Sequence, residues 1–143
     1  MTALTKDRNT YHRVGDFRSG PMKADETTFA GGILLRLSDG YLAKGQVIAG
    51  AVGVGIAERA VLTAGDTDGA VSVEFRPGSH LMQNSAGGDA VTLANIGAVC
   101  YAVDDQTVAL TDASGTRSVA GFVEDIEGSR VWVRFDETLA RIV

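Results

Sequence analysis

From residue 28 onward the pattern of apolar and polar residues becomes that of β-strands, with period-two alternation in several segments, the spacing of half-buried strands. Residues 70–76 show it most cleanly, with Val71, Val73 and Phe75 on one side and Ser72, Glu74 and Arg76 on the other. Ile33-Leu34-Leu35-Arg36-Leu37 predicts a short strand closed by Asp39-Gly40. In 51–57 the branched residues Val52, Val54 and Ile56 alternate with Gly53, Gly55 and Ala57. A strand with one small face predicts another backbone lying close against that face. Pro77-Gly78 ends the 70–76 strand, because proline lacks a donor and glycine accepts a positive φ. Further strands are predicted at about 98–103, 107–111, 117–126 and 129–135, with turns at Asp104-Asp105, Ser114-Gly115 and Glu127-Gly128. Residues 89–96 are the one helical piece, with Asp89 as a candidate cap.

Short strands at this spacing predict an all-β fold, a small sandwich or barrel with at most one short helix. No internal repeat or second domain is visible, so 28–143 reads as a single β-rich domain. Residues 1–27 have few large apolar side chains and no periodicity, and read as an extended N-terminal arm that orders on a partner. Tyr11 and Phe17 are aromatics that a purely solvating tail would not need.

Composition changes this picture little. The 18 glycines are nearly twice the usual share and are scattered, which favours turns and close strand contacts. The net charge of −5 is uneven: residues 1–27 carry five basic and four acidic side chains, and the remainder eight and fourteen. An acidic body is repelled by phosphates, so nucleic acid is not an expected partner. No apolar stretch is long enough to span a membrane, and the N-terminus lacks a signal-peptide core. The lone Cys100, in an apolar run, reads as a buried, inert thiol in a reducing compartment.

Several segments imitate chemical motifs. Gly53-Val-Gly55 begins like a dinucleotide fingerprint, but a third glycine and a following amphipathic helix are missing. Asp66-Thr-Asp68-Gly69 opens like a calcium loop, with its glycine too early and the distal glutamate out of register. His12, His80 and Cys100 make no zinc pattern. Asp104-Asp105 and Glu124-Asp125 are adjacent on strands or turns, so neither pair forms an acid/base dyad. No enzyme activity, cofactor or metal is expected. The last strand differs: Val131, Val133 and Phe135 supply a core face, while Arg130, Trp132 and Arg134 share the opposite one. That trio reads either as an interface hot spot or as a tryptophan folded under a loop with the arginines stacked on it.

The arm Lys6-Asp7-Arg8-Asn9-Thr10, the strand Asp68–Glu74, the segment Ile96–Asp105, Ser118-Val-Ala-Gly121 and the valine-rich last strand together resemble the decoration, cement or minor capsid proteins of Mu-like and related tailed phages. The residues after Phe135 lie outside the resemblance. It implies a β-rich body on the outer surface of a virion capsid, often as a homotrimer, made in the host cytoplasm and clamping the major capsid protein. On that view Lys6, Arg8, Arg13, Phe17 and Arg18 are candidates for the shell contact, and Arg130, Trp132 and Arg134 for a subunit contact. A head–tail joining or tail-associated structural protein is the nearest rival, and a small β-barrel binding or hydrolase domain the next.

Overall fold

The computed structural model describes residues 2–10, 13 and 15–143. Its strands are β1 (Arg18–Pro21), β2 (Thr27–Thr28), β3 (Ile33–Arg36), β4 (Leu42–Lys44), β5 (Val52–Ala57), β6 (Val61–Leu62), β7 (Ser72–Arg76), β8 (Gly78–Asn84), β9 (Val99–Ala102), β10 (Thr107–Ala109), β11 (Val119–Glu127) and β12 (Arg130–Phe135). The single α-helix among the described residues, α1, is Glu137–Arg141. The all-β expectation and each strand predicted after residue 28 are present.

The strands close into two fused rings. In the first, β1 pairs with β7, β7 with β5, β5 with β3 and β3 with β4, all antiparallel. A parallel bridge between Met22 and Leu42 completes it. In the second, β8 pairs with β12, β12 with β11, β11 with β9 and β9 with β10, again antiparallel, and a parallel β8–β10 pair closes the ring. The order of pairing is the same in both: first strand to fifth, fifth to fourth, fourth to second, second to third, and third back to first in parallel. The chain is thus an internal duplication, which corrects the expectation of no repeat.

The correspondence extends to single bonds. Ile33, Leu34 and Leu35 face Ile56, Gly55 and Gly53, while Val99, Cys100 and Tyr101 face Phe122, Gly121 and Val119, with a bulge at the same step. The shift is constant at 66 (99 − 33, 122 − 56). Gly31 N–H donates to Ala57 O at 2.8 Å, and Gly97 N–H to Val123 O at 2.8 Å. Both glycines take a left-handed φ, 81° and 91°, which lets the chain turn sharply into the second strand. Lys23 N–H donates to Leu42 O, and Ser85 N–H to Val108 O.

Inward positions correspond as well. Leu34, Leu42, Val54, Ala57, Val73 and Phe75 fill the first ring, and Cys100, Val108, Ala120, Val123, Val131 and Val133 the second. The sizes compensate. Gly20, beside Leu42 and Phe75, stands where Met82 sits among the smaller Val108 and Val133. The rings are joined where β5 meets β11 at Val52–Val119. Ile33, Leu35 and Ala51 from the first half pack into the core of the second.

Two boundaries differ from expectation. Ordered β-structure begins at Arg18, inside the predicted 1–27 arm, because β1 pairs with β7 and Met22 is wholly buried. A strand of Arg18, Ser19, Gly20 and Pro21, with large apolar residues only at its flanks in Phe17 and Met22, carries no visible alternation. The helix predicted at 89–96 is instead two 3₁₀ turns, Gly87–Asp89 and Leu93–Asn95. Asp89 does not cap it; its carboxylate accepts from Thr111 Oγ1 and Arg117 instead. The α-helix lies past Phe135, capped by Asp136, whose Oδ1 accepts from Leu139 N at 3.1 Å.

Candidate functional surfaces

The arm residues divide into two groups. Lys6 and Arg8 are exposed, and residues 2–10 enter no strand pairing. Phe17 and Arg18 are used within the chain. The guanidinium of Arg76 lies 4.5 Å from the Phe17 ring centre, and Arg18 donates to Gly15 O at 3.0 Å and Phe17 O at 2.9 Å. Arg13, Arg18 and Arg36 line a cleft of about 420 Å³ between the rings, with Phe75, Phe135 and Glu137. Arg36 Nε donates to Glu137 Oε2 at 2.6 Å, tying α1 back to the first ring. Tyr11 and His12 lie outside the described residues.

The last strand has the predicted alternation: Val131, Val133 and Phe135 are buried, Arg130 and Arg134 exposed, and Trp132 half-buried. Trp132 sits between Leu81 on β8 and Asp125 on β11. Arg130 lies between Gln83 and Glu127, and Arg134 between Ser79 and Phe122. Cross-strand partners share a face, so one outer surface carries a Trp–Leu pair flanked by charges of both signs. Among the described residues the cation–π contacts are Lys23 on Tyr41 and Arg76 on Phe17, so neither arginine stacks on Trp132.

The first ring acts as an internal control. Its positions equivalent to Leu81 and Trp132 are Ser19 and Glu74, paired with each other as Leu81 is with Trp132. On the same backbone plan, this pair of positions is polar in the first ring, where Phe17 lies beside it, and aromatic–aliphatic in the second. A half-buried pair of this kind on an outer face makes the second ring the candidate contact surface.

A groove lies beside this pair, about 360 Å³ in volume, lined by Ile96, Phe122, Glu124, Arg134 and Leu139. Ile96 is 47% exposed and Leu139 39%. Sequence reasoning missed it because Leu139 belongs to the unpredicted helix and Ile96 to the supposed helix at 89–96.

The motif-like segments have structural roles. Gly53 and Gly55 lie against backbone, as the small face predicts: a Cβ at Gly53 would come within 2.0 Å of Ala120 O, and one at Gly55 within 2.3 Å of Arg76 O. Around Asp68 the cation is the chain's own. Lys23 Nζ lies 2.7 Å from Asp39 and 3.0 Å from Asp68, and Asp68 also accepts from Ala24 N at 2.9 Å. The Lys23 bond holds Asp39 below the usual carboxylate range; the Ala24 amide, then Lys23, does the same for Asp68. Lys23 is raised in turn, first by Asp39. Among the described residues no group of three or more metal-ligating side chains forms. His80 Nε2 lies 3.1 Å from Arg76 O and 3.2 Å from Pro77 O, bracing the link between β7 and β8. Asp104 Oδ1 accepts from Gln106 N and Thr107 N, a turn-forming use. Cys100 is buried and its thiol is pushed up to about 12 by desolvation, as its apolar setting predicts.

Comparison with family models, with curated proteins and with solved structures finds no match to this chain.

Proposed function

We propose that this chain is a virion structural protein, a decoration or cement protein that binds the outside of the major capsid protein shell and stabilises the head. The observation that carries the reading is the outer face of the second ring, where Trp132 and Leu81 stand at positions held by Glu74 and Ser19 in the first. A duplicated scaffold with one face made apolar and aromatic is the arrangement expected of an interaction protein. The resemblance of the arm and strands to phage head proteins names the partner. Copies stand side by side on the shell, as homotrimers in contact through Arg130, Trp132 and Arg134. Arg13 and Arg18, beside the cleft between the rings, face the shell. Lys6 and Arg8 reach past the body to a neighbour. Many weak contacts then act together by avidity.

Co-sedimentation of the purified chain with undecorated shells tests this. Saturable binding, lost in a Trp132→Ala and Arg13→Glu double variant that still folds, is the expected result. Absence of shell binding at any ratio would sink the proposal, and a sixfold or twelvefold ring in solution would replace it with a head–tail joining role.

A further inference from the structure

We infer that the groove between β11 and α1 receives the distal arm of a second copy, with Leu4 seated against Ile96, Phe122 and Leu139. This rests on the reading that copies stand side by side. Three observations carry it. The first is an internal precedent. In the first ring the residues equivalent to Glu124 and Arg134 are Glu58 and Arg76, which form a 3.2 Å ion pair, and Phe17 from the chain's own N-terminal segment covers that arginine. The second ring has no such segment, because β8 follows β7 with only Pro77 between them. There Arg134 turns to Asp136 at 3.4 Å and the groove stays open.

The second observation is the free end itself. Leu4 is 71% exposed, a large apolar side chain on a segment outside every pairing. The third is charge. Residues 5 and 6 bend in the free chain; drawn out on the second copy, the segment would bring Leu4, Lys6 and Arg8 to a single edge repeating every ~6.7 Å. β11 presents the complement at matching spacing: Phe122, then Glu124 and Asp125 at the bulge, then Glu127, all three acids exposed. At Phe122 both edges of β11 are paired, to β12 and β9, so at the groove the arm meets β11 through side chains rather than by adding a strand; beyond it, over Asp125–Glu127, β11 is paired to β12 alone. Leu4 then fills the apolar groove while Lys6 and Arg8 meet the acidic row.

The test uses the chain without residues 2–10, which keeps every paired segment, and a synthetic peptide of residues 2–10. Titration is followed by the NMR signals of Ile96, Phe122 and Leu139. Binding that saturates below ~1 mM is the expected result, a weak single contact by the scale of affinities. A Glu124→Lys, Glu127→Lys double variant should weaken it at least tenfold, and a peptide carrying Lys6→Glu and Arg8→Glu should restore it. Sedimentation of the full chain should show concentration-dependent association that the truncation reduces. The inference is overturned if no signal at the groove moves, or if the peptide binds while truncation leaves the full chain's association unchanged. The titration needs no shells, so its failure with shell binding intact removes this contact alone. Its success without shell binding removes only the capsid reading.

Discussion

Gly53 stands where the two rings touch, and replacing it with alanine tests that junction directly. A Cβ there would lie 2.0 Å from Ala120 O, 2.7 Å from Ala120 C and 2.8 Å from Ala120 Cα. All three are backbone atoms of β11, so no side chain can swing aside. Relief requires β5 and β11 to part by about an ångström, and a gap of that size forfeits roughly a quarter to a half of the dispersion energy across it. Overpacking of this kind costs about 1–3 kcal/mol, and the rigid neighbour places Gly53→Ala at the upper end, ~3 kcal/mol. Unfolding entropy of roughly 2.1 cal/mol/K per residue turns that into a fall in Tm of about 10 °C for a chain of this length. The assay is thermal and urea unfolding followed by the fluorescence of Trp132, the single tryptophan. Gly88→Ala is the control, since nothing lies within 4 Å of a Cβ there. If Gly53→Ala melted together with Gly88→Ala, the close approach of the rings would be refuted.

Three further outcomes are expected. Cys100, with its thiol pushed up to about 12, should resist thiol reagents at pH 8 and react at the rate of unfolding; prompt labelling of the native chain would contradict its burial. Ser118→Ala removes a hydroxyl that donates to Ile48 O at 2.5 Å and accepts from Ala51 N at 3.0 Å, and should cost about 2 kcal/mol in urea unfolding by leaving both groups unpaired. Asp39, Asp68 and Asp89 all titrate below their unfolded value. Their contribution is therefore complete above that value, near 3.9, and lost as pH falls through the lower folded values. Asp39 and Asp68 are exposed and Asp89 partly so, so the loss should be modest and weakened by salt. In Lys23→Met the acid-induced fall in urea midpoint should shrink, leaving the share of Asp89 with Thr111 and Arg117 and that of the Ala24 and Tyr41 amides on Asp68 and Asp39; an unchanged fall would show that Lys23 does not hold the two carboxylates.

Most predicted strands were legible because they have one face in a core and one in solvent, as in Val71–Arg76 and Arg130–Phe135, while β3 and β5, buried on both sides, were legible from their apolar run and small-residue alternation. β8 was not, since Ser79, Leu81 and Gln83 face outward and the partly exposed His80 and Asn84 share its inner side with Met82. The duplication was hidden for a related reason. What the halves share is pairing order and bulge position, while the residues in common reduce to pieces such as Gly55-Ile-Ala-Glu58 beside Gly121-Phe-Val-Glu124. The shift between halves also drifts, from 66 at the second strand to 58 at the fifth (131 − 73), so no fixed period appears in the sequence. The Trp132 face could be read from alternation alone. Its groove could not, because Ile96, Phe122 and Leu139 come from three separate segments.

Closure of both rings bears on behaviour in crowded surroundings. A strand with a free edge is a template for any other extended chain, and packing many copies at high local concentration multiplies that hazard. Here the strands of each ring join in a closed circuit, its weakest links being the single Met22–Leu42 bridge and the two residue pairs between β8 and β10, and the separate β2–β6 pair offers two residues per strand. Closure leaves only short free edges, which disfavours indiscriminate fibre growth through backbone hydrogen bonds. Recognition between copies then falls mainly to side chains, so a few substitutions on a face can set how tightly they assemble with little risk to solubility.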